Sequence, residues 1–90
     1  MTVEREIEIV NRLGLHARAA ARFVTTANAY DSEIRLHRDG KSVNGKSIMG
    51  VMMLAAAKGT RLLLEVTGED EEAAADALCR LVRSRFGEED

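Results

Sequence analysis

Ninety residues with 13 Lys and Arg against 15 Asp and Glu, a formal net charge of -2, make one modest core and exclude a second catalytic lobe. That balance, with only 3% aromatics, gives no electrostatic or stacking case for nucleic acid. A single cysteine excludes an internal disulfide and a Cys-rich zinc cluster and fits a reducing interior.

The charged opening Met1-Thr2-Val3-Glu4-Arg5 is no signal peptide, and the longest apolar run, residues 48–57, is too short to span a bilayer and carries Gly50. The reading is a soluble cytoplasmic protein of one domain, residues 1–90. Its charge is uneven: Arg12, Arg18, Arg22 and Lys46 fall near expected helix starts, where they suit an acidic partner face, while acids gather at 69–72 and 88–90.

Residues 3–10 alternate, with Val3, Arg5, Ile7 and Ile9 opposite Glu4, Glu6, Glu8 and Val10, and predict a strand with one buried face. Residues 11–15 end it. A helix follows over 17–29 with an apolar stripe of Ala17, Ala20, Ala21, Val24 and Ala27, or Phe23 and Ala27. Residues 32–38 alternate again, placing Ile34 and Leu36 inward and His37 on the polar face as a solvated histidine. Asp39-Gly40 predicts a hairpin turn into a short strand, 41–44.

Ser47 then reads as the N-cap of a helix over 48–58 stopped by Gly59, with Val51, Leu54 and Ala55 packed inward. Residues 60–67, with Leu62, Leu63, Leu64 and Val66, make the most apolar strand, which belongs in the middle of the sheet. Acids at 69–72 open the last helix, whose inner stripe is Ala74, Ala77, Leu78, Leu81 and Val82, with Cys79 a small helix residue. The order β-α-β-β-α-β-α predicts an α+β open-faced sandwich: a four-stranded antiparallel sheet covered on one face by three helices.

Gly14-Leu15-His16-Ala17-Arg18 places a lone histidine where a strand gives way to an alanine-rich helix. The leading amides of such a helix have no intrahelical partner and favour anions, as does the positive end of the helix dipole, and Arg18 adds a fixed cation. These groups also favour the neutral imidazole, which is the nucleophilic form. The pattern suits a histidine that takes a phosphoryl group, with Arg18 and the Ala17 N–H receiving the charge. The Met-rich stretch Ile48, Met49, Met52 and Met53 is apolar nearly all round, so Ile48, Met49 and Met52 read as an adaptable partner surface.

Together, Gly14-Leu15-His16-Ala17-Arg18-x-Ala20 and Asn44-Gly45-Lys46-Ser47-Ile48-Met49-Gly50-Val51-Met52 resemble the HPr phosphocarrier family of the bacterial phosphoenolpyruvate-dependent phosphotransferase system. The resemblance covers essentially the whole chain. It implies that His16 is phosphorylated on Nδ1 by the phosphohistidine form of enzyme I and passes the group to a IIA-type protein, beside Arg18. The chain would then be a stoichiometric carrier and no enzyme, a monomer that needs no cofactor or metal, with Ala21, Arg22, Ile48, Met49 and Met52 on the partner surface.

Ser47 matches the family's regulatory serine, which implies an HPr serine kinase/phosphorylase as a further partner. The opening Met1-Thr2-Val3 and the segment Arg85-Phe86-Gly87-Glu88 are similar to the nitrogen-branch relatives, NPr, whereas the Ser47 region is similar to the carbohydrate branch. One departure is Ala19 where the family motif usually has proline. An unfolded-state entropy cost of about 0.5–1 kcal/mol and a softer first turn are expected.

Two other readings compete. Gly40-Lys41-Ser42-Val43-Asn44-Gly45-Lys46-Ser47 satisfies the P-loop pattern letter for letter, but Gly40 follows a polar hairpin turn rather than a buried parallel strand, so nucleotide binding is rejected. A regulatory adaptor that binds partners without carrying phosphate would have no use for His16.

Overall fold

The alternating segments pair into a sheet because their apolar sides share one face. In the computed structural model, which describes residues 1–89, β1 (Thr2–Glu8), β2 (Glu33–Arg38), β3 (Lys41–Asn44) and β4 (Arg61–Thr67) form one antiparallel sheet in the order β1-β4-β2-β3. The register sets Val3 opposite Val66, Ile7 opposite Leu62, Ile34 opposite Val66 and Leu36 opposite Leu64. All of these are buried, so the most apolar strand does lie centrally.

Arg5 shares that inner face, and its guanidinium reaches out to Glu72 at 3.0 Å and Asp76 at 3.7 Å instead of entering the core. The hairpin turn is as expected, with both Asp39 (φ 49°) and Gly40 (φ 82°) left-handed, the backbone that matches strand twist.

Three helices cover the inner face: α1 (Ala17–Ala27), α2 (Ile48–Met52) and α3 (Glu71–Arg83), followed by a turn at Arg85–Gly87. The α1 stripe differs from expectation at its first turn, where Ala19 is buried, Ala17 is exposed and Ala21 is only partly covered. In α3, Ala74, Ala75, Leu78 and Val82 are the buried set, and Ala77 and Leu81 lie at its margin.

The largest correction concerns α2, which ends at Met52, not at 58. Ala55 turns left-handed (φ 49°) and is exposed, and the Arg38 guanidinium, from a neighbouring strand, donates to the carbonyls of Leu54 (2.6 Å) and Ala55 (3.1 Å) in the turn that follows the helix. Gly59 is therefore no helix stop. Its N–H donates to the Ile9 carbonyl at 2.7 Å, and the Ile9 N–H to Thr60 at 2.9 Å, extending the pairing of β1 with β4.

Residues beyond Ala55 are used to hold the segment before α1. The Leu15 N–H donates to the Ala56 carbonyl at 2.9 Å, and Gly14, at φ 69°, lies so close that a Cβ there would sit 2.5 Å from the Ala56 oxygen. At the opposite end of the fold, Asp70 accepts from the amides of Asp31 (2.9 Å) and Ser32 (3.0 Å) and from the Ser32 hydroxyl, and these bonds, that of the hydroxyl foremost, hold its carboxyl below the usual carboxylate range.

Replacing Gly14 with Ala combines a left-handed backbone cost of about 1–2 kcal/mol with that clash, so unfolding in denaturant should show a loss of about 2 kcal/mol or more. An unchanged denaturation midpoint would contradict the close approach.

Candidate functional site

The chain leaves β1, turns at Gly14 and enters α1 through His16. His16 is the N-cap, in extended conformation (φ -72°, ψ 178°), and its side chain makes no capping bond to its own helix. The first rung of α1 is the Ala20 N–H donating to the His16 carbonyl at 2.9 Å, so the amides of Ala17, Arg18 and Ala19 precede the ladder. The imidazole, 28% exposed, is therefore at the positive end of an 11-residue helix, as the sequence led one to expect.

The sequence reading missed the other half of the site. The segment after α3 folds back: Phe86 is buried, its carbonyl accepts from the Arg22 guanidinium, and Glu88 is delivered to the start of α1. The Glu88 carboxylate is engaged at both oxygens. Oε2 is 2.5 Å from Nε2 of His16, and Oε1 accepts from Nδ2 of Asn11 at 3.0 Å. Asn11 is fully buried and also donates to the Gly14 carbonyl at 2.8 Å.

Burial works to raise the Glu88 carboxyl, but the hydrogen bonds from Asn11 and His16, with the charges of His16 and Arg18, outweigh it and hold the group below the usual range. Beside it a shallow cavity of about 340 Å³ is lined by Arg12, Leu13, Arg18, Arg22, Gly87, Glu88 and Glu89. Arg18 thus lines an opening that carries both arginines and glutamates, whereas Arg22 is occupied with the terminal turn. The only sequence signal for this arrangement was an aromatic followed by glycine and acids near the end of the chain.

Ser47 caps α2 as expected, its Oγ accepting from the Gly50 N–H at 3.0 Å. Ile48, Met49 and Met52 are exposed, Met49 at 73%, while Val51 and Leu54 are buried, which divides the helix into an outward apolar patch and an inward anchor. Ala21 is half-buried on α1.

The loop before α2 has no P-loop geometry. The Gly45 N–H donates to the Ile34 carbonyl at 2.7 Å, the Lys46 N–H to Asn44 Oδ1 at 2.9 Å, the Ser47 N–H to the Asn44 carbonyl at 3.1 Å, and Lys46 Nζ to the Tyr30 carbonyl at 2.7 Å. The donors that would cradle a phosphate are spent inside the fold.

His37, read as simply solvated, instead meets Glu65 at 2.9 Å across the outer face of the sheet. Burial pushes the Cys79 thiol up, away from the reactive thiolate. Among the described residues, no cluster of three or more His, Cys, Asp or Glu is placed to hold a metal ion, and no helix is long and apolar enough to cross a membrane.

Residues 3–84 match the family model described as "PTS HPr component phosphorylation site". The phosphocarrier protein HPr of Pseudomonas aeruginosa is 56% identical over 84 residues, 92% of this chain and 93% of the relative. Among solved structures, HPr-C-His from Thermoanaerobacter tengcongensis superposes with a TM-score of 0.94 at 50% identity, covering 98% of this chain and 99% of that one. An HPr dimer from the same organism reaches 0.78 at 51% identity, covering 91% and 94%.

Because the Ser47 hydroxyl satisfies a helix-start amide, Ser47→Ala should cost about 1 kcal/mol in chemical unfolding, and Ser47→Gly only a few tenths. Equal losses for the two variants would contradict a capping role.

Proposed function

As the chain belongs to the HPr family of phosphocarriers of the phosphotransferase system, we propose that it accepts a phosphoryl group on Nδ1 of His16 from the phosphohistidine of enzyme I and passes it to a IIA-type protein. The observation that carries this reading is the position of His16: a partly exposed imidazole at the head of α1, in front of the unladdered amides of Ala17 and Arg18, with Arg18 in the wall of the adjoining opening. The helix dipole contributes about 0.3–1 kcal/mol to holding the anion, and a charge-assisted hydrogen bond from Arg18 about 1.5–3 kcal/mol. A hold of that size keeps the group long enough to move it on, and the partner supplies most of the charge stabilisation during transfer.

On this reading the chain is a cytoplasmic carrier consumed and regenerated stoichiometrically, rather than an enzyme. Docking uses the exposed face of Ile48, Met49 and Met52, together with Ala21 and Arg22 on α1. We take the working unit to be one chain, a reading supported by a four-stranded sheet and core that close within it. Phosphorylation of Ser47 by a serine kinase would place a dianion at the head of α2, where it is electrostatically tolerated, and would act by blocking that docking face.

Incubation with purified enzyme I and labelled phosphoenolpyruvate should give a label lost in acid and stable in base, and none on His16→Ala. Arg18→Ala should accept it about 10- to 100-fold more slowly, the rate equivalent of the lost hydrogen bond. Acid-labile label on the His16→Ala protein would overturn the assignment, and no label on the unaltered protein would favour the adaptor reading.

For Ser47, the Ser47→Asp protein should unfold at the denaturant concentration of the parent, since Asp caps as well as Ser, yet require more of the carrier to saturate enzyme I. Wild-type KM in that variant would count against regulation through the docking face.

A further inference from the structure

We propose that Glu88 is a positioning residue for His16: its carboxylate takes the Nε2–H of the ring, fixes the tautomer that leaves the Nδ1 lone pair outward, and balances the positive charge the ring acquires on phosphorylation. The inference rests on the carrier reading above and adds a residue from the far end of the chain to the same site.

Three observations converge on it. Oε2 of Glu88 is 2.5 Å from Nε2, and the Glu88 side chain is only 12% exposed, so the contact is enclosed rather than a loose surface pair. Asn11, fully buried, gives one N–H to Oε1 of Glu88 and the other to the Gly14 carbonyl, while its own Oδ1 is left without a hydrogen-bond partner. A buried amide left half-satisfied to hold a carboxylate is committed to that task. Finally, Arg85 (φ 60°) and Phe86 (φ 55°) are both left-handed without being glycine, and Gly87 (φ 78°) continues the turn. Strained backbone of this kind persists where surrounding contacts over-determine it, here the buried Phe86 ring and the Arg22 bond to its carbonyl.

The step balances without proton transfer. The Nδ1 lone pair of a neutral, Nε2-protonated His16 attacks the phosphorus of the donor phosphohistidine. The new N–P bond forms as the donor's N–P bond breaks, its electron pair returning to the donor ring, which becomes neutral. His16 keeps its Nε2–H and carries the positive charge, facing Glu88. A carboxylate on the far nitrogen of an imidazole performs the same service in other histidine sites, by orientation and by stabilising the cation.

The test combines nitrogen-15 NMR of the His16 ring near pH 8.5, where an ordinary imidazole is neutral, with single-turnover acceptance of phosphate from phosphorylated enzyme I. The unaltered protein should show the Nε2–H tautomer. Glu88→Ala should shift to a mixture of tautomers and accept phosphate about 10- to 100-fold more slowly, the size of effect seen when an outer partner of a functional histidine is lost. Glu88→Gln, whose one amide oxygen can serve Nε2 or Asn11 but not both, should favour the Nε2–H tautomer more than Glu88→Ala and less than the parent, and still be slow, because the charge is gone. In both variants KM for the donor should stay at the parent value.

Unchanged tautomer and unchanged rate in Glu88→Ala would overturn the proposal, as would a raised KM at unchanged maximal rate, which would make Glu88 a docking contact. If the unaltered protein took no phosphate, the carrier reading would fail, while the tautomer measurement would still decide whether Glu88 sets the ring.

Discussion

The hydrogen bond from the Leu15 amide to the Ala56 carbonyl joins two parts of the chain that the sequence keeps far apart, and the geometry of the site depends on it. Gly14 has to approach the same carbonyl closely enough that only a residue without Cβ fits, and that approach fixes where the chain enters α1. His16 is thereby locked as the N-cap of α1, at a set distance from the exposed apolar patch of α2. Both helix starts are thus held in one frame by the same short segment after α2. Early termination of α2 is what sets the direction of that segment: the left-handed turn at Ala55 leads the chain off the helix axis just before the Ala56 carbonyl that Leu15 uses.

A second constraint comes from the end of the chain. Phe86 is among the largest fully buried side chains, and sinking it requires a turn whose two non-glycine residues each cost on the order of 1–2 kcal/mol in the left-handed region. Burying a phenylalanine contributes about 1.5–3 kcal/mol, so the aromatic anchor alone roughly offsets the turn. What remains is the placement of Glu88 between Asn11 and His16. The positive end of α1 and Arg18 draw negative charge to this spot, and Glu88 supplies a resident negative charge on one side of the ring. Nδ1 and the helix amides are then left for an incoming anion.

β1, β2 and β4 were legible because each has a buried face and period-2 alternation survives in the sequence, and β3 from the Asp39-Gly40 turn before it; even Arg5, an apparent exception, kept to the inner side by reaching round to α3. His16 and Ser47 were legible because a cap is a local event, decided by a few adjacent residues. The errors share a different cause. Ala55 and residues up to 58 have helix-forming composition, yet Arg38, from β2, takes the carbonyls in the turn that follows the helix, and tertiary contact overrode propensity. Alanine-rich α1 has no size contrast to show which alanines face inward, so the stripe was drawn one residue off at Ala17 and Ala19. Glu88 and Asn11 were missed because their partnership spans most of the chain. An acidic residue beyond the last helix looks like any solvated tail.

Ala19 shows how the two halves of the site depend on each other. It occupies the third helical position of α1, ahead of the first rung, where a proline would have fixed φ and given up an amide that has no intrahelical partner. Here the amide is retained and the intrinsic stiffness is not. Order in the first turn must then come from outside it: Ala19 is completely buried against the core, the Leu15–Ala56 bond fixes the residue before the cap, and Glu88 holds the imidazole itself. Stiffness that a proline would supply locally is supplied by contacts from three other parts of the chain. In such a protein the precision of the phosphoryl acceptor is coupled to the integrity of the terminal turn.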